Sequence, residues 1–116
     1  MDIFENLISE NGFVIAETAC GHDGDIVKLE RLIDVVSESQ AEIIKFQIFL
    51  PKERATVDHH EWQIFNDLAL TKKEWAHAAK YARNKNLIIF ADIFGNESFQ
   101  IAKEIKVDGF KIHSED

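Results

Sequence analysis

Four short apolar segments of the sequence carry side chains that could bind a small molecule, at positions where a buried strand should stay apolar. These side chains are Glu17, Lys45, Gln47, Asp92, Lys111, His113 and Ser114. A buried charge is costly unless it is paired or functional. The lysines could make a locally positive pocket, even though the chain has a net charge of −8. The pattern is therefore typical of a substrate site that accepts an anion.

The segments that carry these residues are typical of β-strands and lie at 14–17, 43–47, 88–92 and 109–114. Helical periodicity separates them, so the order is β-α-β-α-β-α-β. This order predicts an α/β fold of about four βα units, with parallel strands joined by right-handed crossovers. Because functional groups collect at the carboxyl ends of such strands, we expect the polar side chains to converge there.

Strand alternation indicates which way the charged side chains point. Lys45 and Gln47 share one face of their strand, because residues two apart point the same way. If that face met the helices, a lysine would lose its water at a cost of several kcal/mol. Pointing the lysines into the open end of a barrel, its mouth, removes this cost. The alternative is a buried salt-bridge core in which Lys45 and Lys111 only pair with Glu17 and Asp92.

The helices between the strands are predicted over about 25–39, 72–84 and 97–105. Asp25 is the expected N-cap of the first helix, and Thr71 with Glu74 forms a capping box for the second. Residues 51–70 make a connection much longer than the usual two to six or so residues. Apolar residues in its second part indicate a short helix over the mouth, which is either a lid or a packing insertion.

Composition narrows the class of protein. The net charge of −8 argues against binding to nucleic acid, whose phosphates need a basic stripe. The sequence has no apolar run of about 18 residues and no basic-then-apolar leader, so neither a membrane span nor a signal peptide is predicted. Cys20 is the single cysteine, which agrees with a reducing compartment. A cytoplasmic location is the prediction.

Four of the polar motifs together carry a resemblance. They are the Ala-Glu strand end at 16–17, the loop at 21–25, the Lys-Phe-Gln strand at 45–47 and the Lys-Ile-His-Ser strand at 111–114. In order and spacing, they resemble the motifs of the N-acetylneuraminate (sialic acid) synthase family. The resemblance covers nearly the whole chain from Phe13 onward.

The resemblance implies a (β/α)8 barrel enzyme, a transferase of sialic acid and carbohydrate biosynthesis. Such an enzyme condenses phosphoenolpyruvate with an N-acyl amino sugar, such as N-acetylmannosamine or its 6-phosphate, and releases phosphate. It also implies a divalent metal, manganese or magnesium, whose ligands are expected outside this segment. A complete barrel takes about 250 residues, so residues 1–116 are expected to be its N-terminal half. This half alone is not expected to catalyse the reaction.

The resemblance also implies roles for individual residues. The phosphoenolpyruvate-binding positions are Lys45, Lys111 and Ser114, and the sugar-binding positions are Glu17, Gln47 and Asp116. Glu17 is also the expected catalytic residue, since it could bind the aldehyde region or orient the attacking water. The resemblance does not assign one role to His22, Asp92 or His113. For His22, direct contact with the substrate and shaping of the loop are equally favoured.

The chain departs from the family at two positions. Asp92 occupies a place where the family usually has the threonine of Ser-Thr-Pro-Phe, and Gly21 replaces an asparagine. An acid beside an anionic ligand is unfavourable unless it pairs with a lysine or shifts toward the sugar or metal. Both departures indicate a divergent branch with altered substrate preference. For three other histidines, His59, His60 and His77, surface roles are expected rather than metal ligation.

Two other functions remain open. One is a non-catalytic half-barrel that binds an anion and assembles with a partner. The other is a different phosphoenolpyruvate-dependent aldol-type synthase that acts on a phosphorylated arabinose or erythrose. Half a barrel also leaves two open strand edges, which predicts a homodimer or association with the missing half.

Overall fold

One parallel sheet organises the chain, as the sequence predicts. The computed structural model describes residues 5 and 12–113, and every structural statement below concerns these residues. The strands are β1 (Ile15–Ala19), β2 (Ile43–Ile48), β3 (Ile88–Ile93) and β4 (Gly109–Ile112). They lie in the order β1-β2-β3-β4, and each neighbouring pair is parallel. The predicted α/β class with four parallel strands is confirmed.

Five helices join the strands in the described part of the chain. They are α1 (Ile26–Glu38), α2 (Pro51–Arg54), α3 (Trp62–Leu68), α4 (Lys72–Asn84) and α5 (Asn96–Glu104). The Asp25 side chain caps α1 by accepting from the Val27 N–H. Thr71 and Glu74 form the predicted capping box at the start of α4. The short helix α2 was not predicted, although a proline at a first helical position is a recognised start signal.

The core lies between one face of the sheet and helices α1, α4 and α5. On the sheet side it contains Ile44, Phe46, Ile48, Ile89 and Ala91. On the helix side it contains Leu29, Ile33, Trp75, Ala78, Ala79 and Ala82. The small alanines of α4 let this helix approach the sheet closely. Because alternate residues of β2 fill this core, Lys45 and Gln47 point to the opposite face, away from the helices.

The register of the sheet brings the polar residues of neighbouring strands side by side. Glu17 of β1 pairs with Lys45 of β2, and the register then shifts before Ala19. Farther toward the strand ends, Gln47 pairs with Asp92, and Asp92 pairs with Lys111. Parallel pairing in register therefore creates two rows of polar side chains at the carboxyl ends.

The two outer strands differ from the central ones in exposure. In β1 and the residues before it, Val14 and Ile15 are exposed, and in β4 the exposed apolar residues are Phe110 and Ile112. Within the described residues, β1 pairs only with β2 and β4 only with β3.

No helix in this part of the chain is long and apolar enough to cross a membrane.

Candidate functional site at the strand ends

The site lies on the face of the sheet that points away from the helices, at the carboxyl ends of the strands. We call this part of the sheet the mouth, because it corresponds to the open end of the predicted barrel. Its lower row contains Glu17, Lys45 and Phe90, and its upper row contains Gln47, Asp92 and Lys111. Successive rows are two residues apart along the strands, which is about 6.6 Å.

An ion pair dominates the lower row. The Nζ of Lys45 lies 3.0 Å from Oε2 of Glu17, and the two side chains are 16% and 35% exposed. The other oxygen of Glu17 accepts from the Ala19 N–H at 3.2 Å, which ties the carboxylate to the irregular end of β1. An ammonium group has three donors, and this pair uses one. The Lys45–Glu17 pair can therefore still offer donors and an acceptor to a ligand.

A nearly buried carboxylate dominates the upper row. Oδ2 of Asp92 lies 3.8 Å from Nζ of Lys111 and 3.5 Å from Nδ1 of His113. The Asp92 side chain is 2% exposed, whereas that of Lys111 is 54% exposed. The other oxygen of Asp92 is buried and has no hydrogen-bond partner among the described residues. Asp92 thus has the lysine partner that makes an acid tolerable beside an anion site.

The remaining predicted site residues fall in three places. Gln47 accepts from the thiol of Cys20, whose Sγ lies 3.6 Å from Oε1. The ring of His113 stacks against Phe94, with the centroids 4.2 Å apart. Ser114 and Asp116 lie outside the described residues, so their predicted binding roles stay predictions.

His22 is enclosed in the loop after β1. Its Nδ1 accepts from the Gly24 N–H at 2.9 Å, and its ring meets Trp75 edge-on with centroids 5.9 Å apart. The side chain is fully buried, and burial lowers the pKa of His22 from its ordinary value. These are the contacts of a loop-shaping histidine. Gly24 has φ +75 and passes so close to Asp67 of α3 that a Cβ would overlap it.

Sequence reasoning missed Arg54, which lies above the upper row. Its guanidinium carbon lies 4.5 Å from the ring centroid of Phe94, 4.6 Å from that of Phe65 and 5.0 Å from that of Phe49. Arg54 also hydrogen-bonds the thiol of Cys20 and lowers its pKa, but burial is the larger effect and raises the pKa of this thiol. The one sequence signal for Arg54 was the Pro-Lys-Glu-Arg run that forms α2.

The described part of the mouth does not fit a metal centre. Within the described residues, the one group of three potential ligands is His59, His60 and Glu61, on an exposed turn. Nδ1 of His59 is already engaged by the Glu61 N–H at 3.1 Å. In the mouth, Glu17 and Asp92 are instead paired with lysines. No chemical step is therefore derived through a metal held by these residues.

Sequential parallel strands, helices on one face and charged pairs at the carboxyl ends define part of a (β/α)8 barrel with a candidate site at its mouth. Comparison with known proteins agrees. The NeuB family model matches residues 32–116, and the chain belongs to this family.

Two relatives of known function or pathway illustrate the similarity. N,N'-diacetyllegionaminic acid synthase of Campylobacter jejuni is 26% identical over 115 residues, which is 87% of this chain and 34% of the relative. The spore coat polysaccharide biosynthesis protein SpsE of Bacillus subtilis is 26% identical over 113 residues, which is 88% of this chain and 30% of the relative. The chain thus spans about a third of the length of these relatives.

Solved structures show the same fold. N-acetylneuraminic acid (sialic acid) synthetase from Leptospira borgpetersenii, in complex with citrate, matches with a TM-score of 0.80 and 31% identity. This match covers 86% of the chain and 35% of that protein. The structure of Bacillus subtilis SpsE matches with a TM-score of 0.68 and 23% identity, covering 89% of the chain and 30% of that protein. The predicted partial barrel and the predicted family are confirmed.

Proposed function

We propose that residues 1–116 are the N-terminal half of a nonulosonic acid synthase barrel. The whole enzyme condenses phosphoenolpyruvate with an N-acyl amino sugar, such as N-acetylmannosamine, and releases phosphate. Membership of the NeuB family supports this activity. The observation that carries it is the Lys45–Glu17 pair, a partly exposed cation and carboxylate at adjoining strand ends.

In this proposal, the lysines of the mouth bind the anionic substrate. Lys45 and Lys111, with Ser114, hold the phosphate and carboxylate of phosphoenolpyruvate. The methylene carbon of phosphoenolpyruvate forms a bond to the aldehyde carbon of the open-chain sugar, and the electron pair of the alkene is used in that bond. Water then adds to the carbon that bears the phosphate, and phosphate leaves with cleavage of its C–O bond. Holding both reactants together supplies much of the acceleration.

Glu17, Gln47 and Asp116 act on the acceptor and on the water. Glu17 accepts a hydrogen bond from the attacking water, and the ion pair with Lys45 holds its carboxylate beside the reacting carbon. Gln47 and Asp116 bind the sugar. In the whole enzyme, a bound manganese or magnesium ion would supply Lewis-acid chemistry at the aldehyde, and residues outside the described part of the chain would hold it.

The proposal includes a location and partners. A biosynthetic enzyme of this kind is expected in the cytoplasm, and the single cysteine agrees with a reducing compartment. The exposed edges of β1 and β4 are expected to pair with further strands, from the missing half or from a second copy. A cavity of about 430 Å³ beside β4, lined in part by Phe99, Phe110 and Ile112, supports this, because its apolar walls suit another βα unit.

The test is turnover by the complete gene product that carries this chain. Phosphate release from phosphoenolpyruvate would be followed with N-acetylmannosamine, its 6-phosphate, arabinose 5-phosphate or erythrose 4-phosphate, in the presence of manganese or magnesium. We expect turnover with at least one of the two N-acyl amino sugars and none with arabinose 5-phosphate or erythrose 4-phosphate. Lys45→Met should weaken phosphoenolpyruvate binding by about 1.5 to 3 kcal/mol, the value of a charge-assisted hydrogen bond.

Lys73→Met is the matched control for Lys45→Met, because Lys73 is exposed on α4. Turnover with a phosphorylated arabinose or erythrose would instead support the other aldol-type synthase. Anion binding without any turnover would support the non-catalytic half-barrel. Unchanged phosphoenolpyruvate affinity in Lys45→Met would return this lysine to a purely structural ion pair.

A further inference from the structure

The cations around the mouth differ in how they are neutralised. Lys45 pairs with Glu17, and Lys111 pairs with Asp92. Among the described residues, Arg54 has no carboxylate within 4.0 Å. Arg54 therefore carries a positive charge that no carboxylate in the described part of the mouth neutralises.

The surroundings of Arg54 exclude water and supply one weak acceptor, the thiol of Cys20. Its guanidinium lies within 5.0 Å of three phenyl ring centroids, those of Phe49, Phe65 and Phe94. Aromatic faces attract a cation, but they do not accept its in-plane N–H bonds as an oxygen does. The Nε atom of Arg54 is buried and has no hydrogen-bond partner among the described residues. A desolvated guanidinium with unused donors favours an anion as its partner.

Helix α2 holds Arg54 in place. Glu53 accepts from the Leu50 N–H at 2.9 Å with one oxygen, and from the N–H and hydroxyl of Ser98 at 3.2 Å with the other. Lys52 forms an ion pair with Glu97 of α5. These contacts tie both residues that precede Arg54 to the start of α5. The arginine is thus preorganised, which lowers the entropy cost of binding.

Arg54 lies beside the residue that is proposed to bind the sugar. It hydrogen-bonds the thiol of Cys20, whose Sγ lies 3.6 Å from Oε1 of Gln47. Gln47 lies one row beyond Lys45, about 6.6 Å along the strand. Two of the aromatic rings that Arg54 contacts belong to residues still farther along the chain after β2 and β3. Arg54 therefore lies on the side of the mouth proposed for the acceptor sugar.

We propose that Arg54 binds an anionic group, a phosphate or a carboxylate, at the end of the acceptor sugar remote from the aldehyde. This inference rests on the proposed synthase function and narrows its substrate class to acidic N-acyl amino sugars. The guanidinium offers paired donors that match the oxygens of either group.

Titration calorimetry on the complete gene product tests this, in the presence of phosphoenolpyruvate and with three probes. The probes are N-acetylmannosamine, its 6-phosphate and the corresponding 6-carboxylate, N-acetylmannosaminuronic acid. We expect the preferred anionic sugar to bind about 10- to 100-fold more tightly than the neutral one. The stronger of the two anionic probes identifies the group. Arg54→Gln should abolish this preference and leave the affinity for phosphoenolpyruvate unchanged.

Two further variants separate recognition from packing. Arg54→Lys keeps the charge and should keep part of the preference, and Arg31→Gln, on the exposed side of α1, should keep all of it. Equal affinity of the wild-type protein for neutral and anionic sugars would overturn the inference alone. So would an equal loss for all three sugars in Arg54→Gln, which would mark a packing role. Absence of phosphoenolpyruvate and sugar binding would overturn the proposed function as well.

Discussion

Asp92 is the residue at which the sequence is expected to depart most clearly from the motif of its family. Its carboxylate is almost fully buried, and only one of its oxygens has partners, Lys111 and His113, among the described residues. Lys111 is more than half exposed, so water can solvate its ammonium if the carboxylate is removed. The acid thus lies in the proposed anion site without being the main anchor of the lysine.

We predict that Asp92→Thr tightens phosphoenolpyruvate binding by about tenfold or less, because a neutral donor replaces an anion near the ligand phosphate. Lys111 then becomes available to the ligand. Calorimetry and a melting curve on the complete gene product are the measurements. A melting temperature lower by several degrees, with no gain in affinity, would assign Asp92 to structure and remove the argument for altered substrate preference.

His22 makes stability depend on pH. Burial lowers the pKa of His22 in the folded protein, whereas in the unfolded chain it is about 6.5. Below that pH the unfolded state binds more protons than the folded state, so stability falls as the pH falls. Above about 6.5 this contribution is fully present.

We predict that His22→Asn flattens the pH dependence of the urea midpoint between about pH 7.5 and 5.5. The asparagine oxygen can replace Nδ1 as the acceptor from the Gly24 N–H. His60→Asn is the control, since His60 is exposed and its substitution should leave the slope as in the wild type. An unchanged slope in His22→Asn would mean that another group sets the acid limit.

At the scale of elements, the short helix α2 links the sheet to α5. One carboxylate, that of Glu53, serves the Leu50 N–H at its own helix and the buried Ser98 at the other. Gly95 makes this possible, because a Cβ there would overlap the Glu53 carboxylate. The position of Arg54 over the mouth therefore depends on a contact between two elements far apart in sequence.

We predict that Glu53→Ala lowers the free energy of unfolding by about 1 to 3 kcal/mol, since backbone donors at both helices lose their acceptor. It should also weaken binding of the anionic acceptor more than that of phosphoenolpyruvate. Denaturant titration and calorimetry measure the two effects. The exposed Glu38→Ala on α1 serves as a comparison and should change neither quantity. Wild-type stability in Glu53→Ala would show that α2 is held by other contacts.

At the scale of the whole molecule, the described sheet is open at both sides. Exposed apolar residues follow both edges, with Val14 and Ile15 beside β1, and Phe110 and Ile112 in β4. Unpaired strand edges of this kind favour pairing with another chain.

We predict that residues 1–116, prepared alone, self-associate, most simply as a dimer that closes two halves into a ring. Light scattering over a range of concentrations measures this. Ile112→Lys should shift the equilibrium toward monomer, because a charged side chain disfavours edge pairing. A stable, well-folded monomer at high micromolar concentration would contradict the prediction.

Local patterns in the sequence were sufficient for the elements and for part of the site. Apolar segments located all four strands, and the Asp25 cap and the Thr71–Glu74 box located the starts of two helices. Alternation along β2 placed Lys45 on the face away from the core. These features depend on backbone geometry and on near neighbours, so they can be predicted without the fold. The motifs also indicated the family that the comparisons confirm.

The tertiary structure alone decided which groups meet. Register across strands paired Glu17 with Lys45 and placed Asp92 beside Lys111, whereas the sequence left ligand binding and ion pairing as alternatives. Arg54 could not be predicted as a site residue from the sequence, because the three phenylalanines that surround it come from separate segments of the chain. Such contacts depend on how elements distant in sequence pack together. In addition, a helix of four residues is too short to show a helical periodicity in the sequence. The physical reason is that burial and desolvation, which make a charge functional, arise only when the elements assemble.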